Sequence, residues 1–332
     1  MERGGHHIVS TRGARSAEKR SVGIGTVLVL IALALVWGTA GCSAGTGGDI
    51  SAMSADSTTP TGQEDSEADP DTLVVAVSGM ITPADGLKYY SGLSEYIGRK
   101  VGKPVRVVHK SDYTETNELL RDGKIDVAYV CSGPYVAGHD EFGLELVAAP
   151  VVNGRPEYYS YIIANRSSEA TSLDSLAGKV FAFTDPKSNS GKLVPDYMLA
   201  RAGTTAEKRF SETFYSYGHD NSIRAVAEGK ADGAAVDSII YDFAAATDPT
   251  FTSKTRIVTK SQPFAIPPVV VRPDLDPALK TKLRDAFLGA ADDPEGQQFL
   301  KKMRIERFTE IPDSAYDSIR EMNEWVESSR AK

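Results

Sequence analysis

The sequence predicts an α/β fold with largely parallel sheets, built as two lobes around a cleft. From residue 73 onward, short β-rich runs alternate with amphipathic stretches, the pattern of sheets covered by helices. Several of those runs end in a polar or glycine-containing turn that opens a helix, and such turns occur in both halves of the chain. The 332 residues suffice for one large or two ordinary domains, and 41% apolar with 25% charged residues is the composition of a folded protein.

The first element is a targeting segment. Arg12, Arg15, Lys19 and Arg20 precede a nearly unbroken apolar run at 22–37, and Gly38-Thr39-Ala40-Gly41 lead to Cys42. A basic region, an apolar region and a small-residue cleavage region, in that order, make a signal peptide. The run is shorter than the roughly 20 residues a membrane-spanning helix needs, so a permanent anchor is the weaker reading. Residues 1–41 are therefore expected to be removed. Ala40-Gly41-Cys42-Ser43 resembles a bacterial lipoprotein processing site, in which the cysteine sulfur receives a diacylglycerol and becomes the mature N-terminus. Thr39 departs from that pattern, which favours an aliphatic residue three positions before the cysteine.

Residues 42–71 are read as a flexible, lipid-anchored linker. They are rich in Ser, Thr, Gly, Asp and Glu and cannot bury enough apolar surface to fold. Asp49, Asp56, Glu64, Asp65, Glu67, Asp69 and Asp71 stand there without a base, so the formal charge of −8 resides largely in the tether. The remaining body is only weakly acidic and carries no Lys/Arg run, which argues against a nucleic-acid partner. Two cysteines, one of them Cys42, make neither a disulfide framework nor a Cys-based zinc site.

Within the body, strands are expected at 73–78, 105–109, 126–130, 145–152, 159–164, 180–184, 214–217, 233–236, 256–259 and 268–272. Helices are expected at 83–99, 113–121, 173–176, 191–201, 222–228, 238–246, 277–291, 294–302 and 313–328. Helix-opening turns follow at 109–113, 130–134, 184–191 and 217–222. In open parallel sheets, ligands bind outside the carboxyl ends of the strands, where helix N-termini present unpaired N–H groups suited to an anion.

Lys187-Ser188-Asn189-Ser190-Gly191 offers two hydroxyls, a carboxamide and a glycine that admits close approach, though Ser and Asn are also the ordinary residues of a helix cap. It is not a phosphate-binding P-loop, because no Gly-Lys-Ser/Thr follows. Asp112 and Glu115 are explained by a capping box, leaving Tyr113 as the binding candidate. Tyr158 lies in the tyrosine-rich run 158–161, where alternation sends neighbours to opposite faces. His219 and Asp237 sit at strand-to-helix junctions. Ser190, His219 and Asp237 could compose a hydrolase triad, but Ser190 lacks the Gly-x-Ser-x-Gly elbow. Cys131 reads as a buried thiol rather than a nucleophile. No His-Glu-x-x-His pair or dense His/Asp/Glu cluster supports a metal site.

From about residue 73 to 325 the chain resembles the substrate-binding proteins of phosphate, phosphite and phosphonate ABC transporters. The resemblance rests on Lys110-Ser111-Asp112-Tyr113 with the run at 123–129, on Asp185-Pro186-Lys187-Ser188-Asn189-Ser190-Gly191 leading to Leu193-Val194-Pro195, and on Gly218-His219-Asp220-Asn221 leading to Ala231-Asp232. Family members usually read Ser-Thr-Ser-Gly where this chain has Asn189. The resemblance implies a two-lobed type 2 periplasmic-binding-protein fold, with lobe one at 72–160 and 268–332, lobe two at 161–267, and crossover strands near 158–165 and 265–271. It assigns Tyr113, Tyr158, Ser188, Asn189, Ser190, His219 and Asp237 to ligand contacts, with the match looser around Asp237.

The implied protein is a monomeric receptor, not an enzyme, without cofactor or metal. Lipid-anchored at the outer face of the bacterial membrane, it delivers phosphate, phosphite or a phosphonate to an ABC permease. An enzyme would need an activated nucleophile or base, whereas this pattern supplies donors, hydroxyls and one or two acids. Alternatives are a receptor for a sulfonate or thiamine precursor, a ligand sensor, and a secreted serine hydrolase.

Overall fold

In the computed structural model, residues 71–79 and 83–330 are described, and Cys42, the signal segment and the linker up to residue 70 lie outside them. The chain opens with β1 (Leu73–Ser78), α1 (Pro83–Val101), β2 (Val105–Lys110), α2 (Tyr113–Arg121), β3 (Val127–Tyr129), α3 (Ser132–Phe142) and β4 (Glu145–Val151). It then crosses through a short β5 (Glu157–Tyr158) into β6 (Ser160–Asn165), β7 (Val180–Phe183), α4 (Val194–Arg201), α5 (Ala206–Arg209), β8 (Glu212–Tyr215), α6 (His219–Ala227), β9 (Gly233–Asp237), α7 (Ser238–Thr247) and β10 (Thr255–Lys260). A second crossing, β11 (Phe264–Ala265), leads back to β12 (Val269–Val271), α8 (Pro277–Leu288), α9 (Pro294–Met303), β13 (Arg307–Thr309) and α10 (Asp317–Arg330).

The strands form two main sheets, ordered β13-β4-β12-β3-β1-β2 and β10-β6-β9-β7-β8. Helices cover both faces of each, which is why β1 reads Leu-Val-Val-Ala-Val without polar alternation. Leu73, Val75 and Val77 pack with Leu93, Tyr96 and Ile97 of α1 and Leu283 and Phe287 of α8. Val74 and Ala76 face the other way, into a cluster with Leu120, Tyr135, Tyr316 and Ile319. Sheet two repeats the arrangement: Ile162, Phe181 and Phe183 pack with Leu173, Leu199 and Phe210, while Ile163, Ala182 and Val236 meet Ile223, Val226 and Tyr241.

The sheets are mixed, which corrects the expectation of largely parallel ones. Each has a parallel centre, β2-β1-β3 or β8-β7-β9. β12 runs antiparallel to both β3 and β4, and β6 antiparallel to both β9 and β10. The cause lies in the crossings. Val269 at the start of β12 is paired with Tyr129 at the end of β3, and Ser160 at the start of β6 with Asp237 at the end of β9. A strand entering from the end at which its neighbours finish must run against them.

The crossings are shorter than expected. β5 and β11 pair with each other, Tyr158 opposite Phe264 and Glu157 opposite Ala265. Most of 158–165 and 265–271 instead belongs to the sheets on either side.

Three helical features also differ from expectation. Helix α3 stands where the sequence predicts only a helix-opening turn at 130–134: Gly133, Pro134 and Gly138 depress its propensity, and burial of Tyr135 and Val136 secures it. It ends on Gly143 in the left-handed conformation (φ 79°) that suits a glycine cap. Helix α6 begins at His219 rather than 222, because Tyr217 takes a positive φ and turns the chain after β8 ends at Tyr215. The stretch before α4 begins at Asn189 as a wide π-turn through Leu193.

Candidate functional site

The carboxyl ends of the parallel strands bring the sequence-derived residues together. Tyr113 opens α2, behind an Asp112 cap whose side chain accepts from the Thr114 and Glu115 N–H groups. Its own N–H reaches across to Asp185 Oδ2, beyond the end of β7, at 3.2 Å. Asp185 also accepts from Lys187 N–H. Burial nevertheless pushes its carboxyl up to about 6.

Ser188 caps the π-turn and Asn189 and Ser190 open it, and all three are fully or almost fully buried. Ser188 Oγ accepts from Gly191 N–H at 3.0 Å, so its own proton points elsewhere. Asn189 Nδ2 donates to Tyr158 OH at 2.9 Å, a span its carboxamide can bridge. The Ser190 carbonyl accepts from Ser160 Oγ at 2.6 Å, tying the turn to β6.

Two glycines permit this close packing. A Cβ on Gly191 would stand 2.4 Å from Thr184 Oγ1, and one on Gly133 would stand 2.2 Å from the Lys187 carbonyl oxygen. The start of α3 therefore lies directly against the 187–189 backbone.

His219 is held through Nδ1, which accepts the Asp237 backbone N–H at 3.0 Å and lies 3.0 Å from Thr184 Oγ1. Because an amide N–H can only donate, Nδ1 is the acceptor and the proton of the neutral ring sits on Nε2. Complete burial lowers the imidazole to about 3 and keeps it neutral at physiological pH. Asp237 caps α7, with Oδ1 accepting from Ile239 and Ile240 N–H. Burial raises its acid to about 7, outweighing those two bonds.

Tyr113 and Tyr158 are both fully buried, and burial raises both phenols, with Cys131 and Asp237 close enough to raise them further. Cys131 lies 3.9 Å from Tyr158 OH, and burial raises its thiol as well, so it is held as S–H and not as a nucleophilic thiolate.

Several polar atoms in this cluster are buried without a partner in the protein: Tyr113 OH, Ser190 Oγ, His219 Nε2, Asn189 Oδ1 and, at the end of β1, Ser78 Oγ. Unpaired buried polar atoms are costly, each by about 1–3 kcal/mol, so several in one fold are rarely tolerated. Four of the five carry a hydrogen to donate. The cluster is a set of preplaced donors, bordered by two carboxyl groups, Asp185 and Asp237, that burial raises toward neutrality.

A hydrolase triad is not what these residues form. His219 Nδ1 accepts a backbone N–H and so cannot donate to a carboxylate, and Asp237 Oδ1 is engaged in its cap. The base-orienting contact that a triad requires is therefore missing. Among the described residues, no group of His, Cys, Asp and Glu could hold a metal ion, and no helix is long and apolar enough to cross a membrane.

Sequence reasoning did not single out Ser78, Thr184, Asp185 or Ser160. Ser78 and Thr184 carried a usable signal as polar residues ending otherwise apolar strands. Asp185 stands in the sequence as part of a helix-opening turn and of the motif that carries the family resemblance, with no contact role of its own, and Ser160 acts through its contact with a loop 30 residues away.

A family model for the periplasmic substrate-binding proteins of phosphonate ABC transporters matches residues 75–316. The chain is 26% identical over 229 residues to the phosphonates-binding periplasmic protein of Escherichia coli K12, covering 68% of each chain. It is also 26% identical over 291 residues to the phosphate-import protein PhnD of Mycolicibacterium smegmatis, covering 80% of this chain and 89% of that one. The structure of PhnD1 from Prochlorococcus marinus in complex with methylphosphonate superposes with a TM-score of 0.72 at 19% identity, covering 78% of this chain and 99% of that one. The two-lobed architecture is thus that of the type 2 periplasmic binding proteins, and the chain belongs to the family of periplasmic substrate-binding proteins of phosphonate ABC transporters.

Proposed function

We propose that this protein captures a phosphonate or closely related phosphorus oxyanion between its lobes and presents it to an ABC permease. The observation that carries this reading is the convergence of buried, unpartnered donors, Tyr113 OH, Ser190 Oγ and His219 Nε2–H, on a region that also holds Asp237. Ser188, Asn189 and Tyr158 complete the contact set. Such donors suit several oxygens on one central atom, and the carboxyl suits a hydroxyl on that same atom. Residues 72–160 with 268–332 act as one lobe and 161–267 as the other, closing about the β5–β11 pair as ligand bridges them.

A thermal-shift panel tests this directly, since a ligand present at 100 times its dissociation constant stabilises by about 2.7 kcal/mol. Methylphosphonate, aminoethylphosphonate, phosphate and phosphite are expected to raise the melting temperature, with hypophosphite, sulfate and taurine behind. A shift with sulfate or taurine alone would reassign the protein to another solute. Loss of phosphonate uptake on deletion separates transport from sensing.

The same reading places the protein on the outer face of the bacterial cell membrane as a monomer held by a lipid on Cys42, after removal of residues 1–41. The apolar run at 22–37 and Ala40-Gly41-Cys42 support it. Membrane fractionation and intact mass are expected to show a diacylglycerol-modified chain beginning at Cys42. Cys42→Ala is expected to abolish both the lipid mass and membrane retention; retention of the lipid mass in that variant overturns the assignment.

A further inference from the structure

Cys131 stands inside the buried polar cluster, although its sulfur neither caps a helix nor acts as a nucleophile. It follows β3, which lies between β12 and β1, and so stands at the carboxyl end of a central strand of the first sheet. Its neighbours pin it there. Val130 N–H donates to the Pro268 carbonyl at 3.2 Å, and Ser132 Oγ donates to the Ala265 carbonyl at 2.7 Å. The sulfur is fully buried, 3.9 Å from Tyr158 OH and close to Tyr113 and Asp237.

Helix capping does not account for this placement. Cys131 is the N-cap residue of α3, a position where Ser, Thr, Asp or Asn is preferred, and its side chain makes no cap bond. The Asn189 and Gly133 N–H groups lie near the sulfur, which is only a weak acceptor for them, and what remains for a ligand is one S–H, a weak donor. Two stronger groups beside it, Tyr113 OH and Asn189 Oδ1, are fully buried and unpaired. The cluster is therefore rich in hydrogen-bonding groups on most sides and poor in them at Cys131.

Resting on the phosphorus-oxyanion reading above, we propose that Cys131 is a specificity-determining residue whose thiol faces the non-oxygen substituent of the ligand, a P–C or P–H bond, and so disfavours phosphate. A phosphonate or phosphite has three oxygens, and the buried donors together with Asp237 can engage all of them. Phosphate brings a fourth oxygen. Against a buried thiol that oxygen loses its water and gains only a weak donor, which is costly for a charged group. A methyl group or a hydrogen at the same corner forfeits no hydrogen bond, and a soft, polarisable sulfur packs against it.

Calorimetry with methylphosphonate and phosphate on the native protein and two variants tests the assignment. The native protein is expected to bind methylphosphonate at least about tenfold more tightly than phosphate. Cys131→Ser sets a full hydroxyl donor at that corner and is expected to move the ratio of the two affinities toward phosphate by about tenfold or more. Cys131→Ala removes the sulfur without supplying a donor and is expected to leave methylphosphonate the tighter ligand. The ratio compares two ligands on one folded protein, so a general loss of stability does not move it, and the native ratio decides even where a variant fails to fold. Phosphate bound as tightly as methylphosphonate by the native protein, or a ratio that Cys131→Ser leaves unchanged, overturns the role of Cys131 while the phosphorus-oxyanion reading stands. Failure of both ligands to bind the native protein removes that reading and this inference together.

Discussion

Replacing Ser188 and Ser190 together by alanine is expected to weaken methylphosphonate binding by at least about 100-fold. Both hydroxyls are available as donors: Ser190 Oγ is buried without a protein partner, and Ser188 Oγ spends a lone pair on Gly191 N–H while keeping its proton. A hydrogen bond to a charged group contributes roughly 1.5–3 kcal/mol, and losing two of them sets the magnitude. The two residues separate in their effect on the empty protein. Ser190→Ala removes an unpaired polar atom and is expected to leave the melting temperature unchanged or raised. Ser188→Ala strips a cap and is expected to lower stability by about 1 kcal/mol. Calorimetric titration beside a thermal melt measures both. Native affinity in the folded double variant would remove the turn from the binding site.

Asp237→Asn is expected to change both the pH dependence of binding and the exclusion of sulfate. In the complex, one proton lies between Asp237 and a phosphonate oxygen, whichever group formally owns it. Free Asp237 titrates at about 7, and a phosphonate loses its second proton in the range of the phosphate second pKa of about 6. Below both values the partners together hold two protons, and binding must release one, so affinity falls as pH drops. Above both they hold none and binding must take one up, so affinity falls as pH rises. The native protein is therefore expected to show a bell-shaped affinity profile with its maximum near pH 6–7.

Asparagine carries no titrating proton, so the limb due to Asp237 disappears. Above about pH 7, where Asp237 is ionised, sulfate has no proton to offer the carboxylate and is repelled; the variant relieves that repulsion, with an expected gain of roughly tenfold or more. If Asp237 instead pairs with the ammonium of an aminoalkyl phosphonate, the variant selectively loses aminoethylphosphonate. Affinities for sulfate, methylphosphonate and aminoethylphosphonate between about pH 6 and 8 distinguish the two. Three unchanged ligands would make Asp237 a helix cap and nothing more.

The α/β class was legible because β1, β7 and β9 are continuous apolar runs buried on both faces, and continuous burial is written in composition. Helix α2 was legible to the residue, since Asp112 and Glu115 mark its start. Helix α3 was not, because its two glycines and proline argue locally against a helix that only the packing of Tyr135 and Val136 secures. Strand direction was equally hidden: β12 and β6 carry the same apolar pattern whether they run with or against their neighbours, and their direction follows from the end at which each chain crossing enters the sheet.

The sequence by itself determined the residue types of the site and the loops that carry them, because a strand ending in a polar turn before a helix is a local pattern. It could not determine which way each side chain faces. The sequence equally allows His219 and Asp237 to form a relay, and only the 3.0 Å contact from the Asp237 backbone N–H to Nδ1 fixes the tautomer that makes His219 a neutral donor. Asp185, Ser160 and Thr184 entered the site through contacts spanning 30 to 72 residues of sequence, and such contacts leave no periodic trace. Burial, which moves Asp237 to about 7 and His219 to about 3, is likewise a property of the closed packing around them. Tertiary structure alone decided the charge of the site, because the cost of ionising a group depends on what surrounds it in space and not on what precedes it in the chain.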